Sequence, residues 1–248
     1  MNTDKKLLGV LGGLGPMSTV YFCELLTAHT KAACDADHID MIVSSRASTP
    51  DRTAFILGKS KNDPLPVMRE ETERLCRAGA ELIVIPCNTA HYFYEGLQKA
   101  CPVPIINIIE ETVLHLKDQG IVTFGLLATE GTVCSGAYHR VCEAHGMHCI
   151  VPSEDEQSMI SKMIYEQIKQ NKSIDSRAFM QVADALRLRG CEKLVLGCTE
   201  LSLLKKGDLD DTIFVDSLEV LAYRTILLCG KTPIGFGQDF MKWSEVKS

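Results

Sequence analysis

Two stretches of this 248-residue chain repeat one design, and each ends in a cysteine. Arg77-Ala78-Gly79-Ala80-Glu81-Leu82-Ile83-Val84-Ile85-Pro86-Cys87-Asn88-Thr89 is echoed by Leu188-Arg189-Gly190-Cys191-Glu192-Lys193-Leu194-Val195-Leu196-Gly197-Cys198-Thr199. Gly79 matches Gly190, Glu81 matches Glu192 and Cys87 matches Cys198, all at an offset of 111. An earlier pair, Leu8–Gly15 and Phe124–Gly131, repeats at an offset of 116. A chain duplicated in this way is constrained to two similar units. Each opens with a strand, a glycine-bearing loop and a helix, and later delivers a strand ending in Cys.

Short apolar runs alternate with longer amphipathic stretches along the whole chain, which is the βα pattern. Strands are expected near Leu7–Leu11, Asp40–Val43, Leu82–Ile85, Ile105–Ile106, Thr123–Leu127, His148–Val151, Leu194–Leu196 and Ile213–Val215. Helices are expected over Ser18–Ala33, Leu65–Ala78, Glu95–Ala100, Glu110–Lys117, Ser135–His145, Asp155–Gln170, Ser176–Arg189 and Leu218–Leu228. Strands separated by helices imply parallel sheets covered on both faces. The fold class is therefore α/β, with two pseudosymmetric domains, each a parallel sheet flanked by helices, and the active site at their interface. Residues 1–108 are expected to form the first domain, with the C-terminal helix 217–230 packing back on it. Residues 109–216 form the second, and 237–248 read as a tail.

Composition narrows the function classes. A net charge of −6 and the lack of a basic tract argue against nucleic-acid and anionic-membrane partners. No apolar run approaches the ~20 residues a membrane span needs. The start of the chain, Met1-Asn2-Thr3-Asp4-Lys5-Lys6, runs directly into an apolar strand rather than a signal peptide, so a cytoplasmic protein is expected. Eleven cysteines, an odd number, with no C-x-x-C spacing, point to free thiols in a reducing compartment. Cys23, Cys76 and Cys229 fall in helical apolar patterns and read as small core residues.

Cys87 and Cys198 differ, because they stand at strand ends among polar residues, where open α/β sheets gather ligands. Two thiols facing one cleft suit removal of a proton from one face of a carbon and its return on the other. Only the thiolate acts as a base, and a helix N-terminus together with hydrogen bonds from Asn88, Thr89 and Thr199 would lower the thiol pKa. Glu200 or His91 is placed to shuttle the thiol proton. The bland alternative is a pair of buried core cysteines in a duplicated fold.

Three other features carry weaker signals. Gly12-Gly13-Leu14-Gly15-Pro16 follows the first strand, with Pro16 suited to the first helical turn, and its backbone N–H groups can meet an anion. It lacks the spacing of a nucleotide loop. Arg52, in Pro50-Asp51-Arg52-Thr53, can bind a carboxylate bidentately or simply pair with Asp51 in a solvated loop. Lys169 reads from the sequence alone as a cation at a helix C-terminus. His139, Cys142 and His145 share a helix face compatible with zinc, but no second cluster completes a ligand set, so no metal is expected.

Taken together, Gly-Gly-x-Gly-Pro, Pro-Asp-Arg-Thr, Pro-Cys-Asn-Thr-Ala-His and Gly-Cys-Thr-Glu resemble the aspartate/glutamate racemase family, closest to its aspartate racemase branch. The resemblance runs over about residues 6–230 and includes Leu126–Thr132 and Tyr165–Lys169. The glutamate racemase branch would carry an Asp-Ser-Gly opening loop and Gly-Cys-Thr-His instead. The resemblance implies a cofactor-independent, PLP-free isomerase, usually a homodimer, that interconverts L- and D-aspartate, or glutamate or a related amino acid. It implies Cys87 and Cys198 as acid/base thiols, with Asn88, Thr89 and Thr199 as substrate contacts. Arg52 and Lys169 would then hold the substrate carboxylates. Gly13, His91, Thr129, Glu200 and Arg46 are the supporting candidates. Where many relatives have Asn-Asn-Pro, this chain reads Ser45-Arg46-Ala47, which adds a cation beside the expected carboxylate site. The alternatives are a Cys-dependent isomerase acting on a small dicarboxylate or hydantoin, and a catalytically silent amino-acid-binding protein.

Overall fold

The computed structural model describes residues 6–170, 172–205, 209, 212–237 and 240. It contains two four-stranded parallel sheets. The first has β1 (Leu8–Gly12), β2 (Met41–Ser45), β3 (Leu82–Val84) and β4 (Ile105–Ile106) in the order β2-β1-β3-β4. The second has β5 (Thr123–Leu127), β6 (His148–Ile150), β7 (Lys193–Leu196) and β8 (Phe214–Asp216) in the order β6-β5-β7-β8. The two orders are the same order used twice. The register repeats as well: Leu8 pairs with Leu82 and Val10 with Val84 in the first sheet. Their equivalents Phe124 and Leu126 pair with Lys193 and Val195 in the second.

The helices are α1 (Pro16–Ala28), α2 (Arg52–Ile56), α3 (Leu65–Arg77), α4 (Tyr94–Ala100), α5 (Ile108–Asp118), α6 (Glu130–Cys134), α7 (Ala137–His145), α8 (Glu154–Lys162), α9 (Ser176–Leu188), α10 (Ser202–Lys205) and α11 (Ser217–Leu228). Their starts follow local chemistry. Pro16 occupies the first turn of α1, where its missing N–H costs nothing. Asp51, Asn107, Thr129, Asp175 and Asp216 each accept a backbone N–H at the start of the helix that follows. Ser153 and Glu156 form a reciprocal capping box on α8.

Three helices depart from the expected spans, each for a visible reason. The first ends at Ala28 rather than Ala33, because the chain turns away to pair with the C-terminal region. Thr30 bridges Pro233, and the Lys31 N–H donates to Thr232 O. The expected Ser135–His145 helix begins at Ala137, after Gly136 at φ 65°, and a short helix that was not expected, α6, precedes that turn. The expected Asp155–Gln170 helix is three pieces: α8, a π-helical turn over Met163–Gln167 and a 3-10 turn over Ile168–Gln170. The π-turn carries Tyr165 and leads directly to Lys169, and both side chains line the cleft described below.

A hydrophobic core runs between the two sheets and includes Leu8, Val10, Phe22, Phe124, Leu126, Tyr138 and Leu221. Separate clusters fill the outer layer of each half, around Ile83 and Met68 in the first and around Leu194 and Phe179 in the second. Helix α11 packs against both α1 and α5, and Arg224 Nε lies 2.9 Å from Glu111 Oε2 across the α11–α5 contact. Of the expected tail, residues 238–239 and 241–248 lie outside the described residues, while Phe240 is buried against His115, Tyr223 and Phe236. Among the described residues no helix is long and apolar enough to cross a membrane.

Candidate active site

In an open parallel sheet of this order the crevice opens where the connections leave in opposite directions, at the carboxyl ends of β1 and β3 and of their counterparts β5 and β7. Cys87 lies just past β3 and Cys198 just past β7, and both line one cleft between the halves. Leu14, Asp51, Arg52, Thr53, Asn88 and Thr89 come to it from the first half. Thr129, Tyr165, Lys169, Thr199 and Glu200 come from the second. The free space inside is about 10 Å³, room for roughly one water molecule. The cleft is shut, and a ligand of amino-acid size requires the halves to part.

Both thiols are buried, with Cys87 6% and Cys198 4% exposed. A backbone N–H approaches each sulfur, from Ala90 at Cys87 and from Glu200 at Cys198. The expectation that these surroundings lower the thiol pKa is corrected here, because burial outweighs the donors at both positions. At Cys87 desolvation raises the pKa, the Arg52 charge pulls it down and Glu200 pushes it up. At Cys198 desolvation acts first, and the Glu200 charge and hydrogen bond add to it, so this pKa lies well above the usual thiol value. Cys198 Sγ donates to Glu200 Oε2 at 3.0 Å. Cys198 is thus held as a thiol, and Cys87 is the sulfur on which the Arg52 charge acts.

The cations are arranged unequally. Arg52 is 8% exposed and donates from Nη1 to Thr49 O and Pro50 O and from Nη2 to Leu14 O. Its Nε is buried and has no hydrogen-bond partner among the described residues. A buried, unpaired guanidinium N–H is costly unless something arrives to accept from it. Lys169 Nζ instead sits 2.8 Å from Glu200 Oε1. Burial disfavours the Lys169 ammonium, but Glu200 and the two sulfurs outweigh that and raise its pKa. Burial also pushes the Tyr165 phenol up to about 12, against the pull of a Thr53 hydrogen bond.

The polar residues after Cys87 tie the halves together. Asn88 accepts from Tyr138 Oη at 2.7 Å and donates to Ser217 Oγ at 2.9 Å, so its side-chain amide is committed to the protein. Thr89 Oγ1 lies 2.9 Å from Thr129 Oγ1 and 2.8 Å from Thr132 Oγ1. Thr129 also caps α6. Thr199 is buried in the cleft wall.

Three expected supporting residues lie elsewhere. Gly13 is at φ 80°, and a Cβ there would come within 2.5 Å of Arg46 N, so its place is a tight backbone crossing rather than the cleft wall. His91 is buried, with Nδ1 2.9 Å from Cys87 O and Nε2 accepting from Ile108 N at 3.2 Å. It braces the loop through backbone groups, and burial keeps its pKa below the ordinary value. Arg46 does not supply a cleft cation: its Nη1 pairs with Glu70 and Glu71, each at 2.7 Å. The Glu70 and Glu71 carboxylates, invisible as partners in a linear reading, claim its charge. No group of three metal-ligating side chains occurs among the described residues, His139, Cys142 and His145 included.

Tyr165, Thr53, Asp51 and Leu14 line the cleft, and Tyr138 and Ser217 hold Asn88, without being among the residues expected at the site. The broken helix carrying Tyr165 leaves no periodic signal to find it by. Thr53 and Asp51 flank Arg52 and could have been taken with it.

Residues 11–225 match the Asp/Glu/Hydantoin racemase family. The chain is 26% identical over 230 residues to the broad specificity amino-acid racemase RacX of Bacillus subtilis (strain 168), covering 89% of this chain and 96% of that one. Among solved structures, the Picrophilus torridus aspartate racemase superposes with a TM-score of 0.79 at 26% identity, covering 96% of this chain and 99% of that one. The glutamate racemase of Francisella tularensis, solved with D-glutamate, shares the fold at a TM-score of 0.63 and 18% identity, covering 91% of this chain and 81% of that one.

Proposed function

From a chain that belongs to the Asp/Glu/Hydantoin racemase family, we propose an amino-acid racemase that moves the α-proton between Cys87 and Cys198. The observation that carries this reading is the meeting of two equivalent strand-end thiols in one water-poor cleft, beside an arginine with an unsatisfied N–H. The α-carboxylate docks on Arg52 Nε. One sulfur, as thiolate, takes the α-proton from one face, and the opposite thiol gives its own proton to the other face. The proton count of the cleft is unchanged by a turnover, and no electron acceptor or pyridoxal phosphate is required.

Burial favours the thiol at both sulfurs; Glu200 adds to that at Cys198, while the Arg52 charge opposes it at Cys87, so Cys87 is the sulfur that gives up its proton more readily and acts as base, with Cys198 as acid. Racemisation in the reverse sense exchanges the two roles. The carbanion that forms at Cα spreads onto the carboxylate, where the Arg52 guanidinium stabilises it in a medium almost free of water. Closure brings both sulfurs to the reacting carbon together, which converts two proton encounters into one bound geometry. Aspartate, the substrate implied by the sequence resemblance, and the broad range in the name of the Bacillus relative both fit this chemistry at Cα.

The test is hydrogen exchange. In D₂O the purified protein is expected to incorporate deuterium at Cα of an amino acid without added cofactor and to yield the opposite enantiomer. Cys87→Ala and Cys198→Ala are each expected to lose racemisation by ~10²–10⁴-fold, the ordinary contribution of a positioned acid or base. Full activity in either variant would end the two-thiol account.

A further inference from the structure

Cys87 and Cys198 stand on separate loops, and proton transfer on two faces needs both sulfurs within reach of one carbon. Displacing a reacting group by about 1 Å can cost about 10²-fold in rate. The segments on either side of Cys198 are both held at the junction of β8 and α11. Before it, Leu196 O at the end of β7 accepts from Ser217 Oγ at 2.7 Å. After it, Ser202 Oγ donates to Asp216 Oδ1 at 2.7 Å, and the same oxygen accepts from Leu218 N at 2.8 Å as the cap of α11. Two consecutive residues, Asp216 and Ser217, thus bracket the Cys198 loop.

Ser217 also reaches toward the other thiol. Its Oγ accepts from Asn88 Nδ2 at 2.9 Å, and Asn88 follows Cys87 directly. The polarity of these bonds is settled at the backbone end. Leu196 O can only accept, so the Ser217 hydroxyl proton points to it and Oγ is left to accept. Asn88 then turns Nδ2 toward Ser217 and Oδ1 toward Tyr138, whose Oη donates at 2.7 Å. The chain of bonds runs unbroken from Tyr138 through Asn88 and Ser217 to Leu196, and all three side chains are buried.

We infer that Ser217 is a positioning residue for racemisation, whose hydroxyl sets the loop of Cys87 against the strand end that carries Cys198. It lies behind Asn88, outside the lining of the cleft, so it acts through the two loops and not on the amino acid. A hydroxyl bonded on both sides fixes one short distance to each partner, and in close-packed surroundings neither loop shifts without losing a bond. The two sulfurs are thereby kept at one separation, the separation that lets them meet Cα from opposite faces. The inference rests on the two-thiol reading above.

The experiment measures kcat and KM separately for Ser217→Ala, with the L-amino acid that the wild type racemises fastest. Misplaced thiols lower kcat and kcat/KM together, whereas a lost substrate contact raises KM. Ser217→Ala is expected to lower kcat at least about tenfold and to leave KM within about threefold. Thr225→Val is the control for loosened packing, because it removes an equally buried hydroxyl from the same helix, bonded to Leu221 O at 2.7 Å. Its kcat is expected to stay within about twofold of the wild type. Ser217→Cys keeps a weak donor and acceptor in place and covers the case in which the alanine variant fails to fold. It is expected to lower kcat at least about threefold at unchanged KM. A kcat within about twofold of the wild type in the folded Ser217 variants, or an equal fall in Thr225→Val, would overturn the positioning role and leave the racemase reading standing. So would a rise in KM at unchanged kcat. A wild type that forms no D-product from any of the common L-amino acids would end both readings.

Discussion

Glu200 accepts the thiol proton of Cys198 at 3.0 Å, two residues along the chain from it, inside a cleft with almost no water. The same carboxylate neutralises Lys169. One side chain therefore sets both the protonation of an acid/base sulfur and the availability of a cation.

Glu200→Gln removes the charge on which both depend. Desolvation remains the largest cause of the high Cys198 pKa, but the Glu200 charge and hydrogen bond both raise it further. Removing the charge is expected to move the Cys198 thiolate titration to lower pH, read as the pH dependence of its alkylation in a Cys87→Ala background. A titration at the same or higher pH would show that Glu200 does not hold the proton.

Arg52→Lys keeps the charge but loses the fork that joins Thr49 O, Pro50 O and Leu14 O and leaves Nε free. Charge-assisted hydrogen bonds contribute about 1.5–3 kcal/mol each, so kcat/KM is expected to fall by about 10- to 150-fold. Steady-state kinetics with a single amino acid checks this, and a kcat/KM unchanged within about twofold would remove Arg52 as the carboxylate dock.

Asn88→Ala is a stability prediction. The amide joins Tyr138 and Ser217 from two separate helices, all buried. Its loss is expected to cost about 1–3 kcal/mol, read as a lower urea midpoint with unchanged slope. A midpoint within error of the wild type would mean that neighbouring groups re-pair the freed hydroxyls.

His91 supplies a pH dependence. Burial depresses its pKa below the ordinary histidine value of 6.5, while backbone carbonyls resist the depression. The unfolded chain therefore takes up a proton first as the pH falls. The stability from neutral His91 is complete above pH 6.5 and is lost as the pH drops toward the lower folded value. Denaturant titrations of wild type and His91→Gln are expected to converge as pH falls from 6.5, because the variant lacks this proton. Parallel curves across that range would exclude the histidine as a source.

Much of the fold was legible because its signals are local. Thr123–Leu127 and Ile105–Ile106 coincide with the strands read from apolar runs, and the two offsets in sequence are the two offsets that relate the sheet registers. Legibility failed where a distant partner decided the outcome. The first helix stops at Ala28 because Thr30 and Lys31 meet residues of the C-terminal region, and no periodicity records that contact. The π-turn at Met163–Gln167 has a helical composition throughout and reads as an uninterrupted helix. Arg46 reads as a free cation until Glu70 and Glu71 are brought beside it.

The duplication, the parallel sheet of each half and the position of one thiol at the end of a strand in both are written in the sequence, because each follows from hydrophobic period and short-range turn chemistry. Tertiary structure decided the electrostatics between those thiols. Desolvation and the pairing of Lys169 with Glu200 depend on which groups face one another across the cleft and on how little water remains there. Those are properties of packing, and a linear order of residues does not contain them.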